Sequence, residues 1–428
     1  MRIEPAAAVV GHIGVPGDKS ISHRAVLLGA VGEDETRVEG FGRSEDTEST
    51  VRAVRALGVE VVEEDVDVLV VRGVGLGGLR APAEPIDCGN AGTLLKLLMG
   101  LLAGQDGDFV LSGDESLRSR PVEDLAEALR LMGARIETTD GRPPVRIEGT
   151  ELQAAEHTLV RASAQTKSAL LLAGMQADGG RTVVREPQFT RDHTETMLRA
   201  AGVSISRSGR AVSVGRAESL RLGEVAVPGD ISSAAPFIVA ATLVPNSELS
   251  IHGVGVNPFR TALLDVLVRM GGRVAVFDKR RLGGEAVADL EVRSGALTAT
   301  TVRKAEIPRM IDELPLFALV AGMARGESIV RGAAQLREKE TDRIETVTNV
   351  LRSLGVRITA GDDGFRVVGV PTRLKGGGAV HSGGDHRIAM LAAVAGLASR
   401  EGVQLEEPES VAVSFPGFFD LLESVTQR

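Results

Sequence analysis

The chain has 428 residues, 43% of them hydrophobic and 25% charged, with a net charge of −9 at neutral pH. That balance belongs to a soluble globular protein, and the acidic charge excludes sequence-independent binding to nucleic acid or to an anionic membrane surface. The single cysteine, Cys88, excludes an intrachain disulfide framework and fits a reducing compartment.

No run approaches the roughly 20 apolar residues of a membrane span, and Met1–Ala8 has neither the basic start nor the apolar core of a signal peptide. The expected location is cytoplasmic. The length exceeds one ordinary core and suits two domains of about 200 residues.

Taken in chain order, one apolar helical pattern recurs six times. The predicted starts are Ser20 (SISHRAVLLGA), Asn90 (NAGTLLKLLMGLLAG), Ser163 (SAQTKSALLLAGM), Ile231 (ISSAAPFIVAATL), Asp312 (DELPLFALVAGMA) and His386 (HRIAMLAAVAGLA), spaced by 70, 73, 68, 81 and 74 residues. Recurrence at a fixed period identifies an internal repeat. A second helix is interleaved with each, starting near Asp46, Pro121, Asp192, Pro258, Thr341 and Pro416. The first five of these run into Gly58, Gly133, Gly202, Gly271 and Gly355, the residue expected just past a helix C-terminus. β-Branched alternation follows, as in Val59–Val62 and Val356–Thr359, which predicts strands. Each unit therefore reads as strand-helix-strand-helix.

A longer echo lies above the repeat. Val15-Pro-Gly-Asp-Lys-Ser recurs as Val227-Pro-Gly-Asp-Ile-Ser. The expected architecture is α/β: two similar domains of three units each, with crossings near residues 16 and 226.

The helix starts carry the candidate chemistry. Lys19, Ser20 and Arg24 open the first apolar helix, where free N–H groups and the helix dipole favour anions. The echo keeps Ser232 but has Ile231 in place of Lys19. Arg337-Glu-Lys-Glu-Thr-Asp-Arg343 is the densest charge cluster, with Lys339 and Arg343 four residues apart. Asp385-His386-Arg387 opens the sixth apolar helix, Arg118 and Arg120 precede Pro121, and Ser163-Ala164-Gln165 is followed later by Arg191. Singly, each has a plain reading as a cap or a solvated helix start. Their coincidence at equivalent ends of a repeat points to one anion site holding many cations and two carboxylates, Asp312 and Glu340.

Other matches carry no chemistry. Gly73-Val-Gly-Leu-Gly-Gly78 fits G-x-G-x-x-G, but Pro82 and Pro85 follow where a helix should begin. Gly17-Asp-Lys-Ser20 lacks the upstream spacing of a phosphate loop. The seven histidines form no zinc pattern, and Cys88 reads as a buried thiol rather than a nucleophile.

Val15–Arg24 (VPGDKSISHR), Asp87–Thr93 (DCGNAGT), Lys339–Arg343 (KETDR), Gly383–Met390 (GGDHRIAM) and Ser414–Phe419 (SFPGFF) together resemble the 5-enolpyruvylshikimate-3-phosphate synthase family, from about residue 5 to residue 425. The resemblance implies pseudo-threefold domains, a continuous one (17–225) binding mainly shikimate 3-phosphate and a discontinuous one (1–16 plus 226–428) closing on the substrates, with the site in the interdomain cleft. It implies enolpyruvyl transfer from phosphoenolpyruvate to the 5-hydroxyl of shikimate 3-phosphate, in the route to chorismate, by a monomer with no metal or bound cofactor.

By the same resemblance, Lys19 touches both substrates, and Ser20, Arg24, Ser163, Gln165 and Arg191 hold shikimate 3-phosphate. Gly92, Arg120, Arg343 and Arg387 hold phosphoenolpyruvate, with Asn90 shaping that loop and Lys339 near both, and Ala164 and His386 complete the substrate-binding set. Asp312 takes the 5-hydroxyl proton, and Glu340 with Lys19 moves protons at the methylene carbon. Ala164, Lys96, Gln335 and Val413 depart from the enterobacterial pattern and, with Arg191, resemble the glyphosate-tolerant branch, although Gly92 lacks the methyl that can exclude that inhibitor.

Two alternative readings fit the sequence less well. The sister UDP-N-acetylglucosamine enolpyruvyl transferase usually carries a reactive cysteine in the loop that here reads Asp114–Val122, which has none, and it lacks the K-E-T-D-R run. A non-enzymatic six-unit assembly resembling a sliding clamp needs basic residues on every repeat, and the start at Asp230-Ile-Ser-Ser-Ala-Ala has none.

Overall fold

The six apolar helices form at Lys19–Ala30, Gly92–Leu102, Ala164–Gly174, Ile231–Leu243, Leu314–Met323 and His386–Leu397 in a computed structural model that describes residues 1–428. Nearly every residue of each is buried, so no single apolar stripe is present, and the helices are core elements rather than surface ones. The interleaved helices (Glu45–Ala56, Glu123–Arg130, His193–Ala200, Ala262–Arg269, Arg343–Ser353 and Phe418–Ser424) keep one polar face.

The glycines after the first five of these adopt φ of +90°, +93°, +85°, +95° and +92°. In each case the glycine N–H and the next N–H turn back onto carbonyls of the last helical turn, as in Gly58 N to Arg55 O (3.0 Å) and Val59 N to Val54 O (3.0 Å). A side chain would be strained at that φ, which explains the five-fold recurrence of glycine.

The chain divides into two compact units. One comprises Gly17–Val227 with Leu282–Glu285; the other comprises Met1–Pro16, Pro228–Arg281 and Ala286–Arg428. The first holds three four-stranded sheets of one design: a short leading strand parallel to a second, which runs antiparallel to a third, itself paired with a fourth in a hairpin. Ile86–Asp87, Asp108–Ser112, Arg142–Glu148 and Arg135–Thr139 make one such sheet. The expected strand-helix-strand-helix is thus present and is extended by a hairpin partner in every copy. In the first copy the leading strand, Glu224–Ala226, comes from the far end of the unit and pairs with Glu35–Glu39.

Helices Gly92–Leu102 and Ala164–Gly174 cross so closely that a Cβ on Gly100 would lie 2.1 Å from the Ala169 carbonyl oxygen. Only glycine permits that approach.

The second unit varies the same design. Ala8–Gly14 lies parallel to Glu248–Gly255, which pairs antiparallel with Glu285–Arg293. In the next copy, Gly326–Val330, Gly364–Gly369 and Arg357–Gly361 form the sheet, and the leading strand shrinks to bridges at Thr298 and Thr301. In the last, Ala379–His381 runs parallel to Val403–Glu406, and Arg2–Ile3 from the N-terminus completes the sheet. Each unit closes over its own contiguous apolar core. No helix is long and apolar enough to cross a membrane.

Candidate active site

In the unit formed mainly by residues 17–227, Lys19 is the first residue of its helix and Asp18, not Ser20, is the N-cap, accepting from Ile21 N at 3.0 Å. Lys19 Nζ donates to Asp46 Oδ2 at 2.6 Å, a half-buried pair. Ser20 is thereby released from capping: Arg24 Nη1 donates to its carbonyl at 2.7 Å, and Arg191 Nη1 lies 3.5 Å from its hydroxyl. Arg24 is buried and fixed from two further helices, with Nε donating to Thr194 Oγ1 (2.7 Å) and Nη2 to Ser168 Oγ (3.0 Å). Its planar fork is therefore oriented before any ligand arrives.

His23, between these groups, is buried, and its pKa is pushed well below the ordinary value by burial and then by the charges of Lys19 and Arg24. It is thereby held neutral beside the two cations.

Ser163 caps the Ala164 helix, accepting from Thr166 N at 3.2 Å, and Gln165 Nε2 donates to Thr93 Oγ1 at 2.9 Å, joining this helix start to that of Gly92. Ala164 occupies the first helical position. In the preceding loop, Asn90 Nδ2 donates to Asp114 (2.6 Å) and Asn90 Oδ1 accepts from Arg120 Nη2 (2.5 Å). Arg120 also reaches Ser116 Oγ at 3.3 Å. Gly92 lies directly beneath that guanidinium. Pro121 stands two residues before the next helix rather than at its first position, because that helix starts at Glu123.

In the other unit, the 3₁₀ turn Ile311–Glu313 presents Asp312 ahead of the Leu314 helix. Lys339 Nζ donates to Asp312 Oδ1 at 3.0 Å, and Arg343 Nη1 lies 3.7 Å from the same oxygen. Neither Asp312 nor Glu340 caps a helix; Asp342 caps the Arg343 helix instead, accepting from Ile344 N and Glu345 N. Arg343 is only 1% exposed, so the K-E-T-D-R run is not a solvated helix start. Its guanidinium bonds Glu340 (2.6 Å) and both oxygens of Asp385 (2.9 and 3.0 Å). Burial alone would raise the Asp385 pKa, but the Arg343 charge and hydrogen bonds hold it below the ordinary carboxylate value. Asp385 also caps the His386 helix through Arg387 N (2.9 Å). His386 and Arg387 are thus fixed as its first two residues, both buried.

Arg260 and Glu313 gave no sequence signal of their own. The Val227–Ser232 echo, which lacks the lysine, holds Arg387 through the Ser232 carbonyl (3.2 Å) and Arg260 through Asp230 (3.1 Å) and the Ser232 hydroxyl (2.7 Å). That hydroxyl in turn donates to Glu313. Burial first and Asp312 second raise the Glu313 pKa, while Arg387 and Arg260 oppose them. Asp46, Ser168 and Thr194 are likewise structural partners of candidate residues. No group of three or more His, Cys, Asp or Glu side chains is placed to hold a metal ion. Each unit can therefore fix anions on oriented guanidinium and ammonium groups, and the second also offers carboxylates for proton transfer.

The fold is that of the enolpyruvyl transferases. The enolpyruvyl transferase NikO from Streptomyces tendae superposes with a TM-score of 0.79 over 99% of this chain and 96% of its own, at 21% identity. EPSP synthase from Acinetobacter baumannii superposes with a TM-score of 0.87 at 40% identity, over 99% and 97% of the two chains. The 3-phosphoshikimate 1-carboxyvinyltransferase of Geobacter sp. (strain M21) is 47% identical over 428 residues, spanning 100% of this chain and 99% of the relative. That of Halorhodospira halophila is 48% identical over 423 residues, 98% and 95% of the two chains. The model of the family described as EPSP synthase (3-phosphoshikimate 1-carboxyvinyltransferase) matches residues 3–422. The chain belongs to that family.

Proposed function

We propose that this chain transfers the enolpyruvyl group of phosphoenolpyruvate to the 5-hydroxyl of shikimate 3-phosphate, releasing phosphate, in the cytoplasmic route to chorismate. Ser20, Arg24, Ser163, Gln165 and Arg191 are assigned to shikimate 3-phosphate. Asn90, Gly92, Arg120, Arg343 and Arg387 are assigned to phosphoenolpyruvate, Lys19 and Lys339 to both, and Ala164 and His386 to the substrate-binding set as a whole. Asp312 removes the 5-hydroxyl proton as the oxygen bonds to C2 of phosphoenolpyruvate, and Glu340 with Lys19 delivers a proton to C3. From the resulting tetrahedral ketal the C2–O bond to phosphate breaks and a C3 proton leaves, regenerating the double bond on the new ether. The steps move protons and neutralise anions, with no electron transfer, and the proposed route uses no metal or bound cofactor.

The observation that carries this reading is the placement of Asp312 against both Lys339 (3.0 Å) and Arg343 (3.7 Å). A carboxylate so placed can accept a hydroxyl proton beside cations that suit an anionic substrate. Substitution Asp312→Asn keeps the shape and removes the base. Turnover should fall by at least about a thousandfold, within the usual range for loss of an acid–base group, while calorimetry still detects both substrates. A variant with near wild-type turnover would refute the assignment.

A further inference from the structure

Behind Arg24 and Arg191 lies a buried ionic cluster that the proposed reaction does not use. Lys167 and Glu186 have side chains with no solvent exposure, and Glu195 is 3% exposed. Lys167 Nζ donates to Glu195 Oε1 at 2.7 Å and to Glu186 at 3.3 Å, and lies 3.5 Å from the Thr190 carbonyl oxygen. Arg207 completes the set from a neighbouring strand, at 3.2 Å from Glu186 and 2.7 Å from Glu195, with its guanidinium 5.7 Å above the Phe189 ring. The Thr190 hydroxyl donates to Glu186. Two cations and two carboxylates are thus paired, three of them in the interior and Arg207 partly exposed.

Buried ion pairs of this kind contribute little net stability, since each charge loses its hydration, and apolar replacements of equal volume are often neutral or stabilising. What this cluster does contribute is position. Its members are chain neighbours of the groups that hold the candidate anion site. Lys167 adjoins Ser168, and Glu195 adjoins Thr194; those two hydroxyls accept from Arg24. Thr190, bound to the cluster through both its hydroxyl and its carbonyl, adjoins Arg191, which reaches Ser20. The segment from Glu186 to Asp192 lies between a strand ending at Arg185 and a helix starting at His193, so no ladder fixes it. The cluster supplies the fixed points that regular secondary structure does not.

We propose that Lys167, Glu186, Glu195 and Arg207 form a positioning frame that sets the aim of Arg191, through Thr190, and of Arg24, and so sets affinity for shikimate 3-phosphate without touching it. This rests on the assignment of Arg191 to that substrate. Lys167→Met would leave two carboxylates buried without their ammonium and is expected to unfold the unit, so the deciding variant is Thr190→Val. It keeps the shape and removes one hydrogen bond to a charged group.

The expected result is a rise of about tenfold in KM and in the calorimetric Kd for shikimate 3-phosphate, the effect of one such bond. KM for phosphoenolpyruvate and kcat should change less than twofold, and Thr190→Ser should restore the wild-type values. In an Arg191→Gln background Thr190→Val should add nothing further, because the frame acts through Arg191. Unchanged shikimate 3-phosphate affinity in Thr190→Val, or full additivity with Arg191→Gln, would overturn the proposal. Wild-type protein that turns over both substrates while Thr190→Val behaves normally refutes only this inference; wild-type protein that binds no shikimate 3-phosphate refutes the underlying assignment as well.

Discussion

Gly92→Ala isolates the contact between a helix start and one guanidinium. The residue is the first of its helix and its φ is not positive, so alanine enters without backbone strain and with a better helix propensity, by up to about 1 kcal/mol. The added Cβ would stand 3.1 Å from Arg120 Nη1 and 3.8 Å from Leu117 Cδ1, where ordinary contact begins at 3.4 Å. The leucine accommodates it; the guanidinium must retreat by about 0.3 Å, the difference between those contact distances. Arg120 is held by Asn90 at 2.5 Å and Ser116 at 3.3 Å, so it yields by straining those bonds and tilting away from its anion. Losing about half of a hydrogen bond to a charged group, or about 1 kcal/mol, corresponds to a KM for phosphoenolpyruvate about fivefold higher. Steady-state kinetics with each substrate varied in turn, beside a thermal melt, provides the test. The melting temperature should hold or rise and the KM for shikimate 3-phosphate should stay within twofold. An unchanged KM for phosphoenolpyruvate, or equal losses for both substrates, would refute the reasoning.

Two further outcomes concern groups beside the site. His23 has a folded pKa below its unfolded value, so the unfolded chain binds the extra proton, and stability present above about pH 6.5 is lost as pH falls, by up to about 1.4 kcal/mol per pH unit. His23→Gln should flatten that arm in denaturant titrations as pH falls below about 6.5, and an unaltered slope would contradict the neutral assignment. Cys88 is fully buried and burial pushes its thiol pKa up, so a thiol reagent should find no group in the native protein and one after unfolding, with Cys88→Ser retaining full turnover. Rapid labelling coupled to inactivation would contradict that.

The sequence made the repeat legible where a physical requirement recurs at each copy. Six buried helices need continuous apolar runs, and five helix ends need glycine at positive φ. The leading strands stayed hidden because two residues, such as Ile86–Asp87, have no period to read, and the sheet completed by Arg2–Ile3 joins residues some 400 apart. The Arg273–Leu282 strand was legible only at its start, where Val274 and Val276 alternate with exposed neighbours; its remaining side chains are all exposed. At the site, the cations at the helix starts were readable one by one, whereas their partners were not. Asp46 meets Lys19 across 27 residues and Asp385 meets Arg343 across 42. Lys167 sits inside an apolar helix with partners 19 and 28 residues downstream, so only folding reveals that it is buried and neutralised.

The central claim is tested most directly by phosphate release from phosphoenolpyruvate, with purified protein, shikimate 3-phosphate and a chelator present. The account predicts release that requires both substrates and is unaffected by the chelator. Absence of release with both substrates saturating, or release from phosphoenolpyruvate alone, would contradict it.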